Sequence, residues 1–401
     1  MSYSNSPRGR QPRRAFNSTS RTSGGGGNRR KAQKAYIHPS RFIQEAQPVE
    51  TVEYAPTHMF TDFAINPLLQ ENLVTKGFTT PSPIQDQAIP VGLDGKDIVG
   101  IANTGTGKTL AFALPVLHKL LEDKDNRVLI MAPTRELAQQ IEDECRTMAR
   151  RSGIYGALLI GGTAMGPQFG DLRFNPQIVI GTPGRIKDHM ERGTLDVSKF
   201  NLVVLDEVDR MLDMGFVQDM RTILSQLATP RQSFFFSATL DDKVNTLIHT
   251  FLDSPVKISV KTGETAANVE QDVVHYRGRD DKLEKLHDIL ITANVAKALV
   301  FDETQRSVER LSNDLSDRGF NVDAIHGGKS QGQRQRALNR FKKSEITILV
   351  ATDVAARGID VSDITHVVNY TTPQTYEDYV HRVGRAGRAG RKGFALTFIE
   401  G

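Results

Sequence analysis

From Lys96 onward, short apolar runs alternate with longer stretches in which apolar positions recur at helical spacing. The runs at 97–102, 127–132, 157–160, 177–180, 202–205 and 233–236 predict strands, and the spacers between them are long enough for helices. A second series follows at 273–276, 298–301, 322–325, 346–350, 365–368 and 394–398. Parallel strands need helix-length connections, so this rhythm predicts two parallel α/β sheets. The stretch 261–268 carries Thr, Gly, Glu and Ala without either period and is the expected linker between them.

Polar residues follow the strands directly. Ala102 leads into Asn103-Thr104-Gly105, residue 132 into Pro133-Thr134-Arg135, residue 180 into Gly181-Thr182-Pro183-Gly184-Arg185, and Leu205 into Asp206-Glu207-Val208-Asp209. In open parallel sheets ligands bind beyond the carboxyl ends of the strands, so these residues should crowd one edge. Ala102 to Thr109 reads as a phosphate-binding loop between strand and helix, with Ala102 where the general pattern has its first glycine. Thr104, Gly105, Thr106 and Gly107 would wrap backbone N–H groups around phosphate oxygens. Lys108 would reach the β and γ phosphates, and the Thr109 hydroxyl would hold Mg²⁺. Asp206 ends an apolar strand, where a carboxylate is costly unless it meets a cation or donor. It can hold the hydrated Mg²⁺, largely through water, while Glu207 orients or deprotonates an attacking water.

Composition narrows the classes. The 401 residues are 38% hydrophobic and 24% charged, which suits two domains of ordinary size. No apolar run reaches the roughly 18 to 20 residues needed to cross a bilayer, so no membrane association is expected. The single cysteine, Cys145, cannot form an internal disulfide, and no Cys/His cluster has zinc spacing; a reducing compartment, the cytoplasm, is expected. Of the net charge of +4, residues 1–48 hold +9, from eight Arg and two Lys against Glu45, leaving −5 for the remainder. That Arg/Gly/Ser-rich stretch is expected to be disordered and to make auxiliary contacts with nucleic acid. A solvated extension or an organellar transit peptide are the alternatives, the latter opposed by Pro7, Pro12 and the glycine run 24–27. Residues 36–43 regain apolar character and suggest a docking segment with no indicated partner.

Taken together these motifs resemble a DEAD-box RNA helicase of superfamily 2, over about residues 57–399, with Asp206-Glu207-Val208-Asp209 as a variant of the DEAD motif. Gly77-Phe78 through Gln85, including Thr80, resembles the family's Q motif. The resemblance implies that Gln85 reads the adenine edge, which a side-chain amide can do, and that Phe60 stacks on the ring. Pro133, Thr134, Arg135, Gly161-Gly162, Thr182 and Arg185 resemble the RNA-backbone motifs of the first domain, and Ser237-Ala238-Thr239 the motif coupling hydrolysis to RNA. In the second domain it implies RNA phosphate contacts from Thr304, Gln331, Arg334 and Thr352, and a ribose contact from Asp360. His381 joins the catalytic set, and Arg385 and Arg388 look like arginine fingers for the γ-phosphate.

The expectation is therefore two RecA-like α/β domains, at 49–260 and 269–401, after the tail 1–48 and around the linker 261–268. ATP with Mg²⁺ and RNA would both bind across the cleft, with hydrolysis of ATP on closure, local unwinding of short duplexes, and a monomer working on RNA and its ribonucleoproteins. A non-catalytic RNA clamp and a DNA translocase are the rival readings. The former is opposed by the intact Lys108, Glu207, Arg385 and Arg388, the latter by the Q-motif resemblance.

Overall fold

A computed structural model describes residues 37–46, 54–103, 105–260, 268–292, 295–356, 361, 363–387 and 391–401. Most of the basic tail, the linker at 261–267, Thr104, Asp360 and Arg388 lie outside the described residues.

The first sheet has seven parallel strands: β1 (Ile98–Ile101), β2 (Val128–Met131), β3 (Gly156–Leu159), β4 (Ile178–Gly181), β5 (Leu202–Leu205), β6 (Gln232–Ser237) and β7 (Val256–Ser259), in the order β3-β4-β2-β5-β6-β1-β7. The second has six: β8 (Val269–Tyr276), β9 (Ala298–Phe301), β10 (Val322–Ile325), β11 (Ile348–Ala351), β12 (His366–Asn369) and β13 (Gly393–Glu400), ordered β10-β11-β9-β12-β13-β8. Both are doubly wound, with helices on the two faces, the RecA-like arrangement.

Their central strands are apolar throughout because both faces are covered. In β2, Val128 and Ile130 enter one layer while Leu129 and Met131 enter the other. In β9, Leu299 and Phe301 divide from Ala298 and Val300 in the same way. Each of these side chains larger than alanine contributes on the order of 1.5–3 kcal/mol by leaving water.

All twelve strands expected from the sequence are present, with ends shifted by a few residues. β7 was not expected: it is an edge strand with Ile258 as its single buried residue, so neither alternation nor a continuous apolar run marks it. β8 starts at Val269, ahead of the expected 273, because it pairs along its whole length with β13.

Candidate active site

The loop after β1 turns on Gly105 and Gly107, at φ +83° and +89°, a region that side chains disfavour. It delivers Lys108 to the start of the helix Lys108–Glu122. The Lys108 ammonium is buried, donates to the Ala102 carbonyl at 3.1 Å and lies 3.8 Å from Asp206 Oδ1. Asp206, at the end of β5, accepts from the Glu207 N–H at 3.0 Å. Burial pushes its carboxyl up to about 6 against the pull of Lys108. Glu207 has φ +54°, a left-handed backbone that costs a non-glycine residue on the order of 1–3 kcal/mol. That strain turns the chain sharply into the helix Val208–Asp213 and leaves the Glu207 carboxylate on the same cleft as Lys108.

Asp209 fastens this turn to the loop after β6. Its Oδ2 accepts from the N–H groups of Ala238 and Thr239 at 2.9 and 3.0 Å and from the Thr239 hydroxyl at 3.2 Å, while its own N–H donates to Ser237 Oγ at 3.3 Å. Ser237-Ala238-Thr239 therefore moves with the acidic turn.

A cleft of about 470 Å³ is lined by Gly105, Gly107, Lys108, Thr109, Asp206 and Glu207 from the first domain and by Arg385 from the second. Beside it, Arg210 reaches Glu207 Oε2 at 3.3 Å and donates to His381 Nδ1, also at 3.3 Å. Burial, then the nearby Arg210 charge, depress the His381 pKa to about 4, which keeps that ring nitrogen free to accept. Arg382 pins the helix Tyr376–Val383 with a bidentate pair to Asp353 at 2.6 and 2.7 Å.

Two residues expected at the nucleotide site engage other parts of the protein. Phe60 is 2% exposed, packed edge-on against Phe63 and Phe78 in the core; the aromatic on the cleft is Phe78, 38% exposed. Gln85 spends both ends of its amide on the protein: Oε1 accepts from Ser82 N–H at 2.8 Å, and Nε2 donates to the Gly107 carbonyl at 3.0 Å. It closes a capping box at the start of the helix Pro83–Leu93 and ties that helix to the phosphate loop. Thr80 is exposed and outside the cleft lining.

The proposed RNA residues divide. Arg135 lies over Gly162, where an added Cβ would come within 2.6 Å of the guanidinium carbon, and Arg185 donates to the Thr163 carbonyl at 3.3 Å. Together with Pro133 and Thr182 they occupy the carboxyl edge of β2, β3 and β4. Thr134 and Thr304 are helix caps, accepting from Leu137 and Ser307 N–H, with Thr304 exposed and Thr134 buried. Thr352 sits at the end of β11. Gln331 and Arg334 are buried against Glu136 of the first domain, with Arg334 2.9 Å from Glu136 Oε2 and Gln331 Nε2 3.3 Å from Oε1. Two buried cleft-side groups this size need a partner, and Glu136 is the acid within reach.

Glu136 and Arg210 were not singled out from the sequence. Glu136 lies within the run Pro133 to Leu137 and Arg210 directly follows the acidic turn, so a charge in or beside a recognised motif was the available signal.

Comparisons with known proteins agree with this geometry. Residues 82–247 match the family model for the DEAD/DEAH box helicase, and residues 281–390 match that for the helicase conserved C-terminal domain. The chain is 44% identical over 345 residues to the ATP-dependent RNA helicase CshA of Listeria monocytogenes serovar 1/2a, covering 85% of this chain and 66% of that one. It is 41% identical to the DEAD-box ATP-dependent RNA helicase CshA of Bacillus subtilis (strain 168), covering 86% and 70%. The chain thus spans about two thirds of these relatives' length. S. cerevisiae Dbp5 bound to RNA and ADP BeF3 superposes with a TM-score of 0.75 at 28% identity, covering 85% of this chain and 89% of that one. With the family models placed over both sheets and the acidic turn, phosphate loop and arginine helix meeting at one cleft, the chain belongs to the DEAD-box family of ATP-dependent RNA helicases.

Proposed function

We propose that this chain hydrolyses ATP to ADP and phosphate when RNA closes its two domains, and that closure locally separates short RNA duplexes. The observation that carries the reading is the single cleft lined by Lys108, Asp206 and Glu207 from one domain and Arg385 from the other. A site divided between domains is complete only in the closed molecule, which links hydrolysis to whatever favours closure.

We read Asp206-Glu207-Val208-Asp209 as this chain's form of the DEAD motif. Val208 is fully buried, so its two methyl groups beyond alanine enter the core and leave the carboxylates in place. Lys108 binds the β and γ phosphates. Glu207 accepts the proton of the attacking water as the water oxygen bonds to the γ-phosphorus and the bond to the β–γ bridging oxygen breaks. Arg385 offsets the charge that spreads over the equatorial oxygens.

The donor set fits a hydrated Mg²⁺. A cation beside Asp206 would offset the burial that raises its pKa, and the Thr109 hydroxyl lines the same cleft. Among the described residues no group of three or more His, Cys, Asp or Glu forms a metal cage, which suits a cation held through water and phosphates. When bound, Mg²⁺ supplies neutralising charge at the β and γ phosphate oxygens.

RNA is the proposed partner, free or in ribonucleoproteins, held by Arg135, Gly162, Thr182 and Arg185 on one sheet edge and by Thr304 and Thr352 on the other. Such contacts address phosphates and carry no base information. The basic stretch 1–48 adds screened phosphate contacts beyond the core.

Glu207→Gln preserves shape and hydrogen bonding but not basicity. Turnover should fall by about 10²–10⁴-fold while ATP and RNA affinities stay within a few-fold of the unaltered chain. Near-normal RNA-stimulated turnover would remove Glu207 from the mechanism.

A further inference from the structure

The segment before the first domain docks on the second. His38 and Pro39 start a single helical turn, Pro39–Phe42, with the His38 ring accepting from the Ser40 N–H. That turn buries Phe42 completely, with its ring 4.7 Å from Tyr379, and sets the Arg41 guanidinium 3.8 Å over the Tyr376 ring. Two residues on, Gln44 pairs with Gln271 of β8 through both backbone bonds, at 2.9 and 2.8 Å, covering what would otherwise be an open sheet edge. The Gln271 side chain completes the joint: Nε2 donates to Gln44 Oε1 at 3.0 Å, and Oε1 accepts from the Tyr379 hydroxyl at 2.7 Å.

Tyr376 and Tyr379 belong to the helix Tyr376–Val383, whose last turn leads into Arg385. Arg382 fixes the inner side of that helix through Asp353, Asn369 and the Thr371 carbonyl. Phe42 and Arg41 hold its first turn through Tyr379 and Tyr376.

The same segment is anchored a second time. Asp86, the residue after Gln85, accepts from the Tyr54 hydroxyl, from the Thr57 N–H at 2.8 Å, and from both the backbone N–H and the ring of His58 at 3.1 and 2.7 Å. Eight peptide steps separate Ala46 from Tyr54, a reach of at most about 29 Å. The chain therefore crosses between the domains twice, once at 261–268 and once here.

We propose that residues 37–46 are a positioning strap, in which Phe42 and Arg41 hold the Tyr376–Val383 helix so that Arg385 meets the nucleotide when the domains close. The strap touches no reacting atom. Together with the anchor at Asp86 it limits how far the arginine helix can travel from the first domain and sets the orientation in which it returns. The inference rests on the ATPase reading above for the role of Arg385.

The test uses the full chain with Phe42→Ala, Arg41→Ala and Phe42→Tyr, beside chains lacking 1–36 or 1–46. ATP turnover is measured at saturating single-stranded RNA, together with hydrogen exchange of residues 376–383. Phe42→Ala and loss of 1–46 should lower kcat about tenfold with KM for ATP changed less than twofold, and should raise exchange in the helix. Phe42→Tyr should restore kcat, and loss of 1–36, which removes only proposed outer phosphate contacts, should lower kcat at saturating RNA less than loss of 1–46 does. Arg41→Ala removes an exposed contact without opening a core cavity, and should lower kcat several-fold in a chain whose melting is unaltered. Unchanged or increased kcat in Phe42→Ala and Arg41→Ala, or an equal loss from removing 1–36 alone, would overturn the strap. Absence of turnover in the unaltered chain would instead refute the ATPase reading, and the exchange measurement would still decide whether the strap holds the helix.

Discussion

At His381, burial and the Arg210 guanidinium act in the same direction, and both disfavour the protonated ring. Glu207 and Asp209 pull the other way but do not win, and Arg385 adds to the repulsion. When the domains part, the ring leaves Arg210 and its pKa moves back up toward the ordinary value. A base with a depressed pKa in the closed form stabilises closure fully above that ordinary value. The contribution is lost as pH falls from about 6.5 toward about 4, at up to roughly 1.4 kcal/mol per pH unit. The closed fraction, read from a fluorescent pair across the domains with ATP and RNA bound, should thus fall up to about tenfold per closing equilibrium between pH 7.5 and 5.5. His381→Gln should flatten that dependence; an equally steep profile in the variant would assign it to another group.

The residue scale is also where sequence reading was least complete. Residue type and strand-end position marked Lys108, Asp206 and Glu207, because those positions tolerate few other chemistries. Partners were not legible: nothing local shows that Gln85 serves the phosphate loop, that Phe60 lies beneath Phe78, or that Arg334 faces Glu136 of the other domain.

Among the elements, strands buried on both faces announced themselves as continuous apolar runs, whereas the edge strand β7 and the turn Pro39–Phe42 did not. β7 buries one residue, and the Pro39–Phe42 turn buries Phe42 alone, so each depends on a tertiary partner that no local period encodes. The same limit hid the joint between the helices Arg135–Met148 and Gln331–Lys342, which meet through Glu136, Gln331 and Arg334. Removing one member of a buried ion pair strands the other, typically at about 3–5 kcal/mol. Glu136→Ala should therefore lower the closed fraction by at least a hundredfold in the closing equilibrium. The melting of the open protein should hardly change, since the pair is assembled only on closure. Adding Arg334→Met to Glu136→Ala removes the stranded charge and should recover part of the closure. Failure of the double variant to exceed Glu136→Ala would mean that Arg334 contributes to closure through some other contact.

In the molecule as a whole the machinery is divided: one domain carries the phosphate loop and the acidic turn, the other carries Arg385, and proposed phosphate donors line the neighbouring edges of both sheets. Neither sheet alone holds a complete set, so RNA bound to both edges acts on catalysis by bringing the sets together. The most direct test is ATP turnover by the full chain with single-stranded RNA, with DNA of the same sequence, and with no nucleic acid. The account predicts that RNA raises kcat at least tenfold above the unstimulated rate and that DNA does not. Equal rates in all three, or equal stimulation by DNA, would contradict it.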